Sequence, residues 1–417
     1  MDFLSAVQPM LAQAWGIFVL TYPFWLPILL IAIFWQLWVN FVRTRWRTNT
    51  KFCVLEIRIP RDIFKSPRAM EVVFNSLYNT ADESNFVYKY WKGQVRPWFS
   101  FEIVSDFGQL HFYIWAQEKH KNYIESQIYA QYPEVEVRQV EDYSQNFAFI
   151  PKVNNLWGAR FEKAGPNPLP IPTYVDYGLD QSMVKEEQKI DPLAQLLELM
   201  SVVLPGEHIW LQIGIQAHKK ERADIWSKET DWREEIASVR KQIFEQIKKE
   251  ERGRPSASET ELLEALGRAY QKYPFNCVIR AFYWAEEAKN YRPPMIGTIV
   301  TLLRPFSYSA SVFSDSFKKD TLAGFNGFKP AKGGGGMAPS DYPWQDFLNI
   351  AGNRARRRFV DAYKRRSFFH SPYKFKPFIM TSEELATMYH FPGATVAAPK
   401  LARIPSKRAQ APSNLPI

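Results

Sequence analysis

Phe99-Ser-Phe-Glu-Ile-Val-Ser105-Asp106-Phe-Gly108-Gln109-Leu-His-Phe-Tyr-Ile-Trp115 is the stretch on which the fold turns. Apolar side chains recur at every second position on both sides of Asp106-Phe107-Gly108. That is the pattern of two half-buried strands joined by a tight turn. Toward the N-terminus, Cys53-Val-Leu-Glu-Ile-Arg-Ile59 alternates in the same way and is ended by Pro60. Ser66-Pro67 then opens a helix with an apolar stripe through Met70, Val73, Phe74 and Leu77. Toward the C-terminus, 118–132 reads as a helix with Tyr123, Ile124, Gln127 and Ile128 along one side. Pro133 stops it, and 135–140 is a last alternating strand. The chain order is βαββαβ, so the fold class expected is α+β, with a ferredoxin-like domain over residues 52–143.

Beyond it, 144–190 is rich in Pro, Asn and Gly and reads as a linker. A second α+β domain is expected over 191–328: a helix at 191–204, a strand at 209–217, a strand at 276–284 and a helical stretch at 292–307. Its middle is a long charged helical insertion, 219–272, interrupted at Arg252-Gly-Arg-Pro255. Ile225, Trp232, Ile236, Val239, Ile243 and Ile247 give that insertion one apolar side, which suits either a solvated helix or an arm for a partner. Cys53 and Cys277 begin similar strands, Phe52-Cys-Val-Leu and Asn276-Cys-Val-Ile, and hint at an internal duplication. Residues 329–417 read as an irregular, basic, Pro-rich tail with a flexible loop at Gly333–Gly336, an amphipathic stretch at 344–350 and one short helix at 382–390.

The first 48 residues have a different character. Trp15 to Val42 carries no charged side chain, and 17–39 supplies the roughly 20 apolar residues that cross a bilayer core as a helix. The run is too long for a cleaved signal peptide and ends in bulky Trp35 and Trp38 rather than at a small-residue cleavage site. A single transmembrane anchor is expected, with Pro23 and Pro27 kinking or breaking its outer half. Arg43, Arg45, Arg47 and Lys51 flank it directly. Basic flanks stay in the cytoplasm, which puts the N-terminus outside and the bulk of the chain in the cytosol. Trp15, Tyr22, Trp25, Trp35, Trp38 and Trp46 suit the two interfaces.

Composition narrows the function classes. The chain has 417 residues, enough for two or three domains, and a net charge of +10. Two cysteines support neither a disulfide framework nor a four-cysteine zinc site, and both lie in apolar strands, where a buried thiol is the ordinary outcome. The one glycine cluster is followed by Met337, without the Lys and hydroxyl of a P-loop. No two of the six histidines stand four residues apart. No catalytic, metal-ligating or cofactor-binding residue is assigned. The strongest single-sign cluster is Arg354, Arg356, Arg357, Arg358, Lys364, Arg365 and Arg366, continued by Lys374 and Lys376 and opposed only by Asp361. Phosphates of nucleic acid, anionic lipid headgroups or acidic groups of a neighbouring protein would all suit it.

Two segments carry a resemblance. One runs from Phe99-Ser-Phe-Glu-Ile-Val104 through Tyr123-Ile-Glu-Ser-Gln-Ile-Tyr-Ala-Gln-Tyr-Pro133 to Glu141-Asp-Tyr143. The other is Glu383-Glu-Leu-Ala-Thr-Met-Tyr-His-Phe-Pro-Gly393 with the Pro-rich segment after it. Both resemble the membrane-linked region ahead of the motor domain in bacterial HerA/FtsK-like and type IV secretion (conjugative transfer) ATPases. The resemblance implies a non-catalytic scaffold or adaptor in a DNA-transfer or secretion machine, with the P-loop ATPase on a separate polypeptide. Leu385, His390, Phe391 and Pro392 are then candidates for docking that motor, unless the segment only packs on its own domain. Membrane lipid, a second copy of the chain and DNA are the other partners to weigh.

Overall fold

The computed structural model describes residues 3–60, 65–80, 85–165, 167–181, 190–219, 231–249, 254–307, 328–330, 350–393 and 403–404. In chain order the elements are α1 (Phe3–Asn49), β1 (Phe52–Pro60), α2 (Arg68–Ser76), α3 (Phe86–Tyr90), β2 (Trp98–Asp106), β3 (Gln109–Gln117), α4 (Lys121–Gln131), β4 (Glu136–Val140) and β5 (Asn155–Lys163). They continue with α5 (Pro192–Ser201), β6 (Glu207–Ala217), α6 (Trp232–Lys249), α7 (Ala257–Gln271), β7 (Pro274–Ala285) and α8 (Met295–Thr301). The last are β8 (Phe328–Pro330), α9 (Ile350–Lys364), β9 (Phe378–Thr381), α10 (Ser382–Met388) and β10 (Arg403–Ile404). The chain divides into two compact units, one of residues 1–50 with 81–95, the other of 51–80 with 96–417.

The first unit is built on α1. Its stretch Phe18–Asn49 is long and apolar enough to cross a membrane. The helix is continuous through Pro23 and Pro27. A short second helix, α3, belongs to this unit rather than to the α+β domain that its sequence position suggested.

The second unit is mixed helix and sheet. Its strands run in the order β10-β1-β3-β2-β6-β7-β5-β8, with β4 also on β1 and β9 also on β7. Every pair is antiparallel except β1 with β10. The first half, β4-β1-β3-β2, takes its strands and helices within two or three residues of the expected positions. The second half, β6-β7-β5-β8, has the same order reflected: β5 stands where β1 does, β6 where β2 does, β7 where β3 does and β8 where β4 does. The halves meet at β2 and β6, paired from Trp98↔Gln216 to Asp106↔His208. The repeat is therefore one of strand order. The Cys53/Cys277 similarity misaligns it, because β1 and β7 are not equivalent strands.

Three domain expectations change. The linker at 144–190 holds β5, a central strand of the second half. Gly158 and the flanking Asn155 hid it from a propensity reading. Residues 191–328 are not a separate body, because β6 continues the first half's sheet. The tail is not irregular over its described part: α9, β9 and α10 are all packed, and β9 adds to β7 from Pro274↔Thr381 to Cys277↔Phe378. Gly333–Gly336, 344–349 and residues 220–230 and 250–253 of the insertion, with Ile225, lie outside the described residues. The rest of the insertion is no projecting arm. Trp232, Ile236, Val239, Ile243 and Ile247 of α6 are buried with Leu262 and Leu266 of α7 and with Leu169 and Ile379.

Strand periodicity sorts the sheet into two unlike faces. Leu55, Ile57, Phe101, Ile103, Phe112, Ile114, Leu211, Ile213, Ile279 and Ala281 form one, and they share a core with apolar residues of α2, α4, α5, α8 and α10. Burying each such large side chain contributes about 1.5–3 kcal/mol before entropy is counted. The other face is polar and aromatic, and α9 with the chain that follows it packs there.

Candidate functional site

The polar face is organised by register. Glu56, Tyr113, Glu102, Gln212, Arg280 and Arg160 stand opposite one another on successive strands and form one row across six of them. The row is acidic at one end and basic at the other. At its centre Glu102 is fully buried. Its Oε1 accepts from Ser100 Oγ at 2.7 Å, Gln212 Nε2 at 2.7 Å and Arg366 Nε at 3.0 Å. Its Oε2 accepts from Tyr143 OH at 2.8 Å and Arg366 Nη2 at 3.0 Å. A buried carboxylate is tolerable only when so fully bonded.

Arg366 follows α9 and carries the helix onto the row. Besides the bidentate pair with Glu102, its Nη1 donates to Asp142 Oδ2 at 2.5 Å and to the Lys364 carbonyl at 2.8 Å. Burial works against the charged guanidinium, but Glu102 and Asp142 outweigh it and hold its pKa well above the ordinary value. Tyr363 OH meets Tyr143 OH at 2.7 Å. Arg280 donates to Gln212 Oε1 at 2.5 Å and lies over the Phe368 ring, 4.2 Å from its centroid. Here burial dominates and pulls the guanidinium below its usual pKa.

Two glycines admit the aromatic contacts. A Cβ on Gly214 would lie 2.5 Å from Phe368, and one on Gly158 would lie 2.7 Å from Phe359. Both rings therefore rest directly on strand backbone.

The expected basic cluster is split by this arrangement. Arg366 and Arg356 are buried, and Arg356 lies over the Phe149 ring. Lys364 is half-buried and donates to the Gln145 carbonyl at 3.0 Å. Arg354, Arg357, Arg358 and Arg365 stay exposed. Spacings of three, four and seven set Arg357, Arg358 and Asp361 with Arg354 on one face of α9, and Arg365, just past the helix end, continues it through the hydrogen bond its N–H donates to the Asp361 carbonyl. Arg365 pairs with Asp361 at 2.9 Å. The phosphate-competent surface is thus an exposed stripe of four arginines. Arg356 and Arg366 leave the candidate list because neither is accessible.

The docking candidates have no exposed surface. Leu385, His390, Phe391 and Pro392 are all buried. His390 Nδ1 donates to the Ala386 carbonyl at 2.9 Å, and Nε2 meets Asp191 Oδ2 at 3.1 Å. Phe391 packs edge-on against Phe112 and Tyr132. Thr381 and Glu384 form a capping box that starts α10. Glu384 also pairs with Lys163 at 2.8 Å inside the protein. Side chains so enclosed brace their own domain, which was the other reading of this segment. Of the anchor flank, Arg43, Arg45 and Arg47 occupy the last turns of α1, where Arg47 donates to Thr44 Oγ1 at 3.3 Å. Lys51 follows as an exposed residue just before β1.

The residues that organise the face, Glu102, Asp142, Gln212 and Arg280, escaped the sequence reading. Their signal was available: a carboxylate between Phe101 and Ile103, and glycines inside two strands of otherwise large residues. Among the described residues, no group of three or more His, Cys, Asp and Glu is placed to hold a metal ion. No protein-family model matches this chain, and no curated protein matches it.

Proposed function

We propose that the chain is a membrane-anchored, non-catalytic scaffold or adaptor subunit, held by α1 in a bacterial cytoplasmic membrane with its sheet domain on the cytoplasmic side. The sheet is read as two ferredoxin-like units fused edge to edge, a reading supported by the 4-1-3-2 strand order met twice. The observation that carries the proposal is how the charges are used. Glu102, Arg366, Asp142, Arg280, Glu384 and Lys163 all bond one another or their own domain, while the exposed arginines of α9 face outward without a core to serve. The resemblance to the region ahead of DNA-translocase and type IV secretion motors names the partner class, a separate P-loop ATPase. With Leu385 to Pro392 enclosed, the docking surface moves to the α9 stripe.

Crosslinking mass spectrometry on the full chain in its own membranes tests this. Crosslinks from Lys374 or Lys376 to a P-loop ATPase are the expected result. Membranes that contain such an ATPase yet yield only links within the chain overturn it.

The same stripe favours a second reading, a membrane-tethered protein that binds nucleic acid or anionic lipid. Removing one phosphate-binding arginine should flatten the salt dependence of binding by about 0.9 in the log–log slope on duplex DNA. Arg354→Glu, Arg357→Glu and Arg358→Glu together should then abolish salt-sensitive binding of DNA or of anionic vesicles. Unchanged binding removes this reading.

A further inference from the structure

We propose that residues 86–92 form an aromatic foot that lies in the membrane interface, where acyl chains meet headgroups, beside the last apolar turns of α1. The inference rests on reading α1 as a membrane span and adds a second contact with lipid that the sequence did not announce. The foot is fixed to the helix from one side. Trp35 packs against the rings of Phe86, Tyr90 and Trp91, with centroids 6.2, 5.4 and 6.1 Å away. Trp38 meets Trp91 edge-on at 5.8 Å, and its Nε1 donates to the Tyr90 carbonyl at 3.1 Å. Gly93 has φ +67°, and a Cβ there would collide with the Val42 carbonyl carbon and oxygen, so the chain crosses α1 backbone against backbone.

On its other side the foot is bare. Phe86 is 63% exposed, Trp91 55% and Val87 52%. Large apolar groups so exposed on a soluble surface are unfavourable, and their neighbours say what covers them. The patch joins α1 through Trp38, whose ring meets those of Phe34 and Phe41, each at 6.3 Å; both are also exposed and belong to the apolar stretch. Its contacts run from Trp35 to Val42, about 10 Å along the helix axis. They end at the peptide joining Val42 to Arg43, where apolar sequence gives way to charge. That is interface depth, the level at which Trp and Tyr rings are most favourable. Lys92 lies over the Tyr88 ring at 4.3 Å and Lys89 over the Tyr90 ring at 5.7 Å. A lysine whose stem lies on a ring can keep its ammonium at phosphate level. The occupant is therefore the lipid surface, and the foot would set the depth and rotation of the anchor.

Depth measurement by spin labelling tests this on the full chain in vesicles of phosphatidylcholine and phosphatidylglycerol. Cys53 and Cys277 are buried, so label goes to the introduced cysteine. Val87→Cys removes no ring contact, Trp91→Cys is the second position, Leu29→Cys reports α1, and Lys241→Cys, on the exposed side of α6 and away from the arginine stripe, reports an aqueous surface. The expected result is an oxygen-to-nickel-chelate accessibility ratio at 87 and 91 several-fold above that at 241 and below that at 29. A ratio at 87 and 91 equal to that at 241, with 29 still deep, overturns the foot and leaves the anchor. A label at 87 shielded from both reagents overturns it in favour of a protein contact. An aqueous value at 29 removes the anchor reading and the foot with it.

Discussion

Arg366 donates from Nε and Nη2 to the two oxygens of Glu102, each at 3.0 Å, with both side chains fully buried 264 residues apart in sequence. This pair ties the segment after α9 to the centre of the sheet, on the strand where the two halves meet. It replaces solvent for both ions, so it is costly to break by halves.

Arg366→Met should destabilise the protein by about 3–5 kcal/mol, because it leaves Glu102 charged and without its bidentate partner. Glu102→Gln should cost less, since Arg366 keeps Asp142. Chemical denaturation of the full chain in detergent reads both. An Arg366→Met variant as stable as the parent would deny the pair its structural role.

Gly214→Ala should cost about 1–3 kcal/mol, because its Cβ would meet the Phe368 ring at 2.5 Å. Combined with Phe368→Leu, the loss should be smaller than the sum of the two single losses. A double-mutant cycle measures that coupling, and strict additivity would mean the ring does not rest on the strand.

Stability should fall in acid. Burial pushes the Asp142 carboxyl up, but Arg366 beside it and hydrogen bonds from Gln145 and Ser144 bring it below the usual range. Burial likewise raises Glu207, and hydrogen bonds from Arg292 and Tyr283 lower it further than burial lifts it. A carboxyl held below its unfolded value contributes fully above that value and loses its contribution as pH falls through the folded one. The loss should therefore begin near about pH 4, the unfolded carboxyl range, and continue downward. Thermal melts from pH 7 to pH 3 check this, and Glu207→Gln should flatten the acid limb.

Cys53 and Cys277 should resist thiol reagents until the protein unfolds. Both are buried, and burial raises both thiol pKa values, which disfavours the reactive thiolate. Labelling by a maleimide with and without denaturant measures it. Rapid native labelling would place one of the strands in contact with water.

Much of the first half of the sheet was written locally. Alternation over 53–59, 99–105 and 109–115, the Asp106-Phe107-Gly108 turn and the Pro60 and Pro133 stops suffice because strand, turn and helix-end signals act within a few residues. The apolar stretch of α1 was legible for the same reason: length and hydropathy alone meet what a bilayer core requires. What the sequence could not determine is which elements share a sheet and which charges face one another. β5 lay hidden in a Gly- and Asn-bearing segment because its place depends on β7, more than a hundred residues away. Arg356 and Arg366 looked like their exposed neighbours because burial is decided by what packs over a residue, not by its type. The enclosure of Leu385, His390 and Phe391, the row from Glu56 to Arg160 and the attachment of Trp91 to Trp35 and Trp38 all join residues distant in the chain. Such contacts cost chain entropy to form and are settled only when the cooperative fold satisfies every buried group at once.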